Sequence, residues 1–123
     1  MAVVALTKAN FKETIEKNSF VIVDFWAPWC DPCVAFTPTF TTVSYNHPDI
    51  VFGMVDTEAD PEISAYFEVA QIPGLLIIRD QAGIHTQVGE IGAAGLEEII
   101  KWARERDMTA VHEHYAAEAN KKH

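Results

Sequence analysis

Cysteine is scarce in this chain. Cys30 and Cys33 are the only two among 123 residues, which excludes a scaffold stapled by several disulfides. Positive charge is also sparse: nine Lys and Arg face 18 Asp and Glu, for a net charge of −9. Without a basic field to displace counterions from phosphates, nucleic-acid binding is not expected. No apolar run approaches the roughly 20 residues needed to cross a bilayer, so no membrane association is expected either. The N-terminus shows no basic segment ahead of an apolar one. Met1 to Leu6 is short, and Lys8, Asn10, Lys12 and Glu13 follow at once; the expectation is a cytoplasmic protein. Internal repeats and low-complexity linkers are missing as well.

What is present is an ordinary globular mix, 49% hydrophobic and 22% charged. A chain of this length is most simply one domain, large enough to bury roughly two-thirds of its surface. Val3 to Leu6 reads as a short strand. Thr7 reads as the N-cap of a helix to about Lys17, with Phe11 and Ile15 on one face. Phe20 to Trp26 is nearly continuous in apolar, β-branched and aromatic residues, the pattern of a strand buried on both faces. Asp24 interrupts it. A helix is expected from about Cys33 to Tyr45, kinked at Pro38, although Thr39 to Val43 is rich in β-branched residues.

After a turn at Asn46–Asp49, Ile50 to Val55 reads as another buried strand. Asp60 and Pro61 open a short helix to Phe67. Leu75 to Ile78 and Ile84 to Val88 read as a hairpin turning at Gln81-Ala82-Gly83. The last helix runs from about Ala93 to Arg106, with Leu96, Ile99, Ile100 and Ala103 on its apolar face. The order β-α-β-α-β-α-β-β-α predicts an α/β fold: a central mixed sheet with helices on both faces. We expect the domain to span residues 1–107, with 108–123 as a C-terminal tail of helix-favouring composition.

The chemistry concentrates in Phe25-Trp26-Ala27-Pro28-Trp29-Cys30-Asp31-Pro32-Cys33. Two thiols separated by two residues can cycle between dithiol and disulfide, hold half a metal site, or form an incidental pair. In a reducing compartment, catalysis or metal binding outranks a structural bond. Zinc is disfavoured, because no second Cys pair exists and the nearest histidine in sequence is His47. His112, His114 and His123 read as solvated side chains, since positions 112 and 114 point to different helix faces; no metal site is expected.

Taken together, Asp24-Phe25-Trp26-Ala27-Pro28-Trp29-Cys30-x-Pro32-Cys33, then Pro38, Ile72-Pro73 and Val88-Gly89, resemble the thioredoxin family over roughly Val3 to Arg106. The resemblance implies a protein-disulfide reductase with Cys30 as nucleophile and Cys33 as resolving thiol. It further implies that Asp24 accepts the proton of Cys33 and that Pro73 follows a cis peptide bond. Pro32 stiffens the turn into the helix. Trp29, Asp31, Ile72, Gly74, Val88 and Gly89 would form the rim that meets a target.

No bound cofactor is implied. Electrons would come from NADPH through a thioredoxin reductase to disulfides on target proteins, and the protein would act as a monomer. A disulfide oxidase or isomerase, or a thioredoxin-like binding adaptor, are the alternatives. Three positions depart from the family pattern. Asp31 replaces the usual Gly, where its carboxylate disfavours the Cys30 thiolate or caps the helix. Gly74 stands where Thr is common. Phe52 is aligned with a Lys that often neighbours the buried Asp.

Overall fold

The computed structural model describes residues 3–89 and 91–109. Among these residues nine elements follow in the expected order: β1 (Val3–Ala5), α1 (Phe11–Lys17), β2 (Phe20–Trp26), α2 (Asp31–Ser44), β3 (Val51–Asp56), α3 (Pro61–Tyr66), β4 (Gly74–Arg79), β5 (Ala82–Val88) and α4 (Ala93–Glu105). They build one five-stranded sheet in the order β1-β3-β2-β4-β5. Strands β1, β3 and β2 are parallel. Strand β4 runs antiparallel to β2, and β5 antiparallel to β4. All of the expected tail except Met108 and Thr109 lies outside the described residues.

The apolar run of β2 is explained by its central place, since both of its faces are covered. Phe20 and Ile22 join Phe36, Phe40 and Val43 of α2 and Leu96, Ile100 and Ala103 of α4 in one core. Val21, Val23 and Phe25 point the other way, into a second core with Ile63, against which Phe11 and Ile15 pack. The β-branched stretch of α2 is helical despite its propensity. Helix propensity costs a few tenths of a kcal/mol per residue, whereas burying Phe36, Phe40 and Val43 contributes roughly 1.5–3 kcal/mol each. Phe40 sits edge-on to Phe52, with ring centroids 5.2 Å apart. The helix runs through Pro38.

Local details differ from the sequence expectation at three places. Helix α1 begins at Phe11 behind Asn10; Thr7 belongs to the preceding turn, where its carbonyl accepts from the amides of Asn10 and Phe11. Asp60 precedes α3 but makes no side-chain cap. Its Oδ1 accepts instead from the Lys8 amide at 3.1 Å, which ties the β1–α1 loop to the β3–α3 loop. The hairpin turns at Asp80-Gln81, one residue before the Gly-containing stretch. Both residues have positive φ, 50° and 69°, as a two-residue turn matched to strand twist requires.

At the far end of the sheet from Cys30, Arg104 binds Asp49 through two bonds of 2.7 and 2.9 Å and reaches His47 Nδ1 at 3.0 Å. His47 Nε2 pairs with Glu97. These bonds fasten the α2–β3 turn to α4. At the centre, a Cβ on Gly53 would stand 2.3 Å from Cδ1 and 2.6 Å from Cγ of the buried Leu6. Gly53→Ala is therefore expected to destabilise the fold by about 1–3 kcal/mol. Urea unfolding checks this, and an unchanged midpoint would show that Leu6 has room to retreat.

Candidate active site

The disulfide lies where β2 ends and α2 begins. Strand β2 delivers the chain through Ala27 to Cys30, whose amide donates to the Ala27 carbonyl at 3.1 Å in a tight turn. Cys30 has extended backbone and is the N-cap of α2. Its Sγ accepts from the amide of Cys33 at 3.3 Å. Cys30 and Cys33 are bonded to each other, with Cα atoms 5.2 Å apart. Cys30 retains 6% of its surface and Cys33 none, so of the two sulfur-bearing residues only Cys30 is open to solvent.

The helix N-terminus does the electrostatic work. The Cys33 amide that bonds Cys30 Sγ and the positive end of the helix dipole favour negative charge on that sulfur. Pro32 occupies a first-turn position, where a missing N–H costs nothing. Asp31 is not the cap, as one sequence reading had it: the cap is Cys30, and Asp31 is the first helical residue, exposed to solvent.

Asp24 lies in the middle of β2 and is 0% exposed. Neither carboxylate oxygen has a hydrogen-bond partner among the described residues. Burial pushes its carboxyl up from 3.8 to about 7, because desolvation penalises the charged form. Alternation along β2 puts Asp24 on the face of Ile22, the face that α2 covers. Its cross-strand partners are Met54 and Leu75. Met54 stands opposite Asp24, and Phe52, two residues earlier on β3, pairs with Ile22. Neither Met54 nor Phe52 carries a charge, so neither supplies a cation beside Asp24.

The α3–β4 and β5–α4 connections supply the rest. The Ile72–Pro73 peptide is cis, and Ile72 packs against Ala27, Cys30 and Cys33. Gly74 pairs with Val88, and the Gly89 amide donates to the Pro73 carbonyl at 2.9 Å. Gly89 has φ of 90°, a conformation that favours glycine. Trp29 and Val88 are 65% and 53% exposed. Residues from three separate stretches thus converge beside the disulfide. Trp26 packs against the same small cluster.

Two neighbours were not singled out from the sequence. Val34, half-exposed one turn beyond Cys30, donates its amide to the Cys30 carbonyl at 3.0 Å; its signal was an apolar residue off the buried Phe36–Phe40 stripe. Glu58 accepts from the indole N–H of Trp29, and nothing in the sequence marks it. Among the described residues, no group of three or more His, Cys, Asp or Glu is placed to hold a metal. No helix among them is long and apolar enough to cross a membrane.

Comparison with known proteins agrees with this geometry. The Thioredoxin family profile matches residues 2–102. A thioredoxin 2 candidate from Streptomyces coelicolor is 45% identical over 108 residues, covering 88% of this chain and 81% of its own. Thioredoxin C-3 of Corynebacterium nephridii is 37% identical, covering 80% of this chain and 67% of its own. The oxidised structure of mitochondrial thioredoxin 3 from Saccharomyces cerevisiae superposes with a TM-score of 0.75 at 30% identity, covering 81% of this chain and 94% of that one. With a two-residue spacer, bonded sulfurs and a helix N-terminus behind them, the chain belongs to the thioredoxin family and is a thiol–disulfide oxidoreductase.

Proposed function

We propose that this oxidoreductase works as a reductase of protein disulfides, with Cys30 as nucleophile and Cys33 as resolving thiol. The observation that carries this reading is the difference between the two sulfurs: Cys30 caps α2 at the surface, and Cys33 is buried behind it. The Cys30 thiolate attacks one sulfur of a target disulfide, forming a mixed disulfide and releasing the target's other sulfur as thiolate. Cys33 gives its proton to the Asp24 carboxylate. Its thiolate then attacks Cys30 Sγ, and the second target sulfur leaves. The target has gained two electrons, and the Cys30–Cys33 disulfide has formed.

A buried carboxyl titrating near 7 is matched to this proton transfer at neutral pH. The cis Ile72–Pro73 peptide and the Val88–Gly89 turn stand beside the disulfide, where an extended target segment can pair with exposed backbone. Exposed Trp29 completes the surface that it meets, whereas Gly74, expected in the rim, is buried at the start of β4. No bound cofactor takes part. Electrons return the pair to dithiol from NADPH through a thioredoxin reductase, and the protein works as a cytoplasmic monomer.

A coupled assay tests the reading. With NADPH, a flavoprotein thioredoxin reductase and insulin, NADPH consumption is expected to depend on this protein. The loss of one NADPH should accompany each insulin disulfide opened. No NADPH consumption with any of several bacterial reductases, while dithiothreitol-reduced protein still opens insulin, would remove the proposed electron source.

A further inference from the structure

The charge around the disulfide is of one sign. Asp31 is exposed and stands next to Cys30 in the chain, its Cα about 3.8 Å away across one peptide unit. Across the same surface, exposed Glu58 holds the indole of Trp29. The remaining rim residues, Val34, Ile72, Val88 and Gly89, carry no charge.

Five of the seven lysines and arginines among the described residues engage elsewhere. Arg79 and Arg104 stand over the ring of Phe20, at 5.4 and 5.6 Å from its centroid, at the opposite end of β2. Arg106 lies over Trp102. Lys17 bonds Glu13 within α1, and Lys8 faces Glu62 at 3.7 Å. A target approaching Cys30 therefore meets an uncharged contact surface bordered by two carboxylates and by no cation among these residues.

We propose that this acidic border selects targets whose reacting cysteine is flanked by lysine or arginine, with Asp31 as the selecting residue. The inference rests on the reductase reading and names the class of target it prefers. During attack, the residues flanking the target cysteine must lie beside Cys30. They are then well inside the screening distance of about 10 Å at 0.1 M salt. A basic flank is attracted there and an acidic flank is repelled. Such exposed interactions are individually small, but they act on both encounter rate and orientation.

The test uses three synthetic peptide dimers, each joined by one disulfide, with lysine, serine or glutamate on either side of the cysteine. Each is mixed with the dithiothreitol-reduced protein, and the peptide thiol released in one turnover is measured after acid quenching. The readout is the ratio of the lysine rate to the glutamate rate. Because both targets meet the same Cys30, any change that Asp31 makes in its nucleophilicity cancels.

Asp31→Asn is expected to lower the ratio about two- to threefold, and Asp31→Lys by about tenfold, the scale of exposed charge pairs. Both effects should shrink at about 1 M salt. A ratio unchanged in both variants at low salt overturns the inference. A wild-type protein that fails to open even the serine dimer overturns the reductase reading instead.

Discussion

Cys30→Ser should reduce insulin-disulfide opening at least about a thousandfold, to the uncatalysed background, while leaving the fold intact. The hydroxyl that replaces the thiol is hardly ionised at neutral pH, and the dipole of α2 cannot compensate for a gap of several pKa units. Cys33→Ser should behave differently. Its Cys30 still attacks, so one target thiol is released per protein, and the reaction then stops. The mixed disulfide accumulates, because the buried position one turn into the helix no longer holds a resolving sulfur. Mass spectrometry of the quenched reaction should find the target bound through Cys30. Steady turnover in Cys30→Ser, or burst-free behaviour in Cys33→Ser, would reverse the assignment of the two sulfurs.

Asp24→Asn should change both stability and rate, and in opposite senses. In the folded protein the Asp24 carboxyl titrates at about 7, against 3.8 unperturbed. Below 3.8 it is protonated in both folded and unfolded chains and affects stability little. As pH rises through this interval the unfolded chain ionises while the folded one holds its proton, so stability falls. Above about 7 both forms are ionised and the loss is complete. At about 1.4 kcal/mol per pKa unit, the wild-type oxidised protein loses roughly 4 kcal/mol between pH 4 and pH 8 through this one group. Asn has no such proton to lose. The variant should lack that slope and be the more stable protein at pH 8.

The rate should move the other way. Without a carboxylate to take its proton, Cys33 resolves the mixed disulfide about tenfold or more slowly at pH 7–8. The wild-type resolving step should also rise with pH through about 7, a rise that Asp24→Asn removes. Urea unfolding at several pH values, together with single-turnover kinetics, measures both. Parallel stability curves for the two proteins would show that Asp24 ionises freely in the folded state.

The order of elements was legible because it is written in local patterns. The FVIVDFW run marks a strand covered on two faces, and the spacing of Leu96, Ile100 and Ala103 marks a helix lying on one. Cys30 and Cys33 were legible because their spacing, with Trp29 before and Pro32 between, fixes their geometry within a single turn of helix. The hairpin was displaced by one residue because Gly83 is the strongest turn signal in the stretch. The fold nevertheless places positive φ at Asp80 and Gln81, where strand pairing demands it.

What the sequence by itself determined is the α/β architecture and the chemistry of the Cys30–Cys33 pair, since both follow from residues close together in the chain. Only the tertiary structure decided that Met54 faces Asp24, that Glu58 holds Trp29 and that Asp31 is exposed beside a cap formed by Cys30. It also brought Ile72-Pro73 and Val88-Gly89 together beside the disulfide. These are questions of register and of long-range contact. They are settled by how the two cores pack across the sheet, and a one-dimensional pattern carries little trace of them.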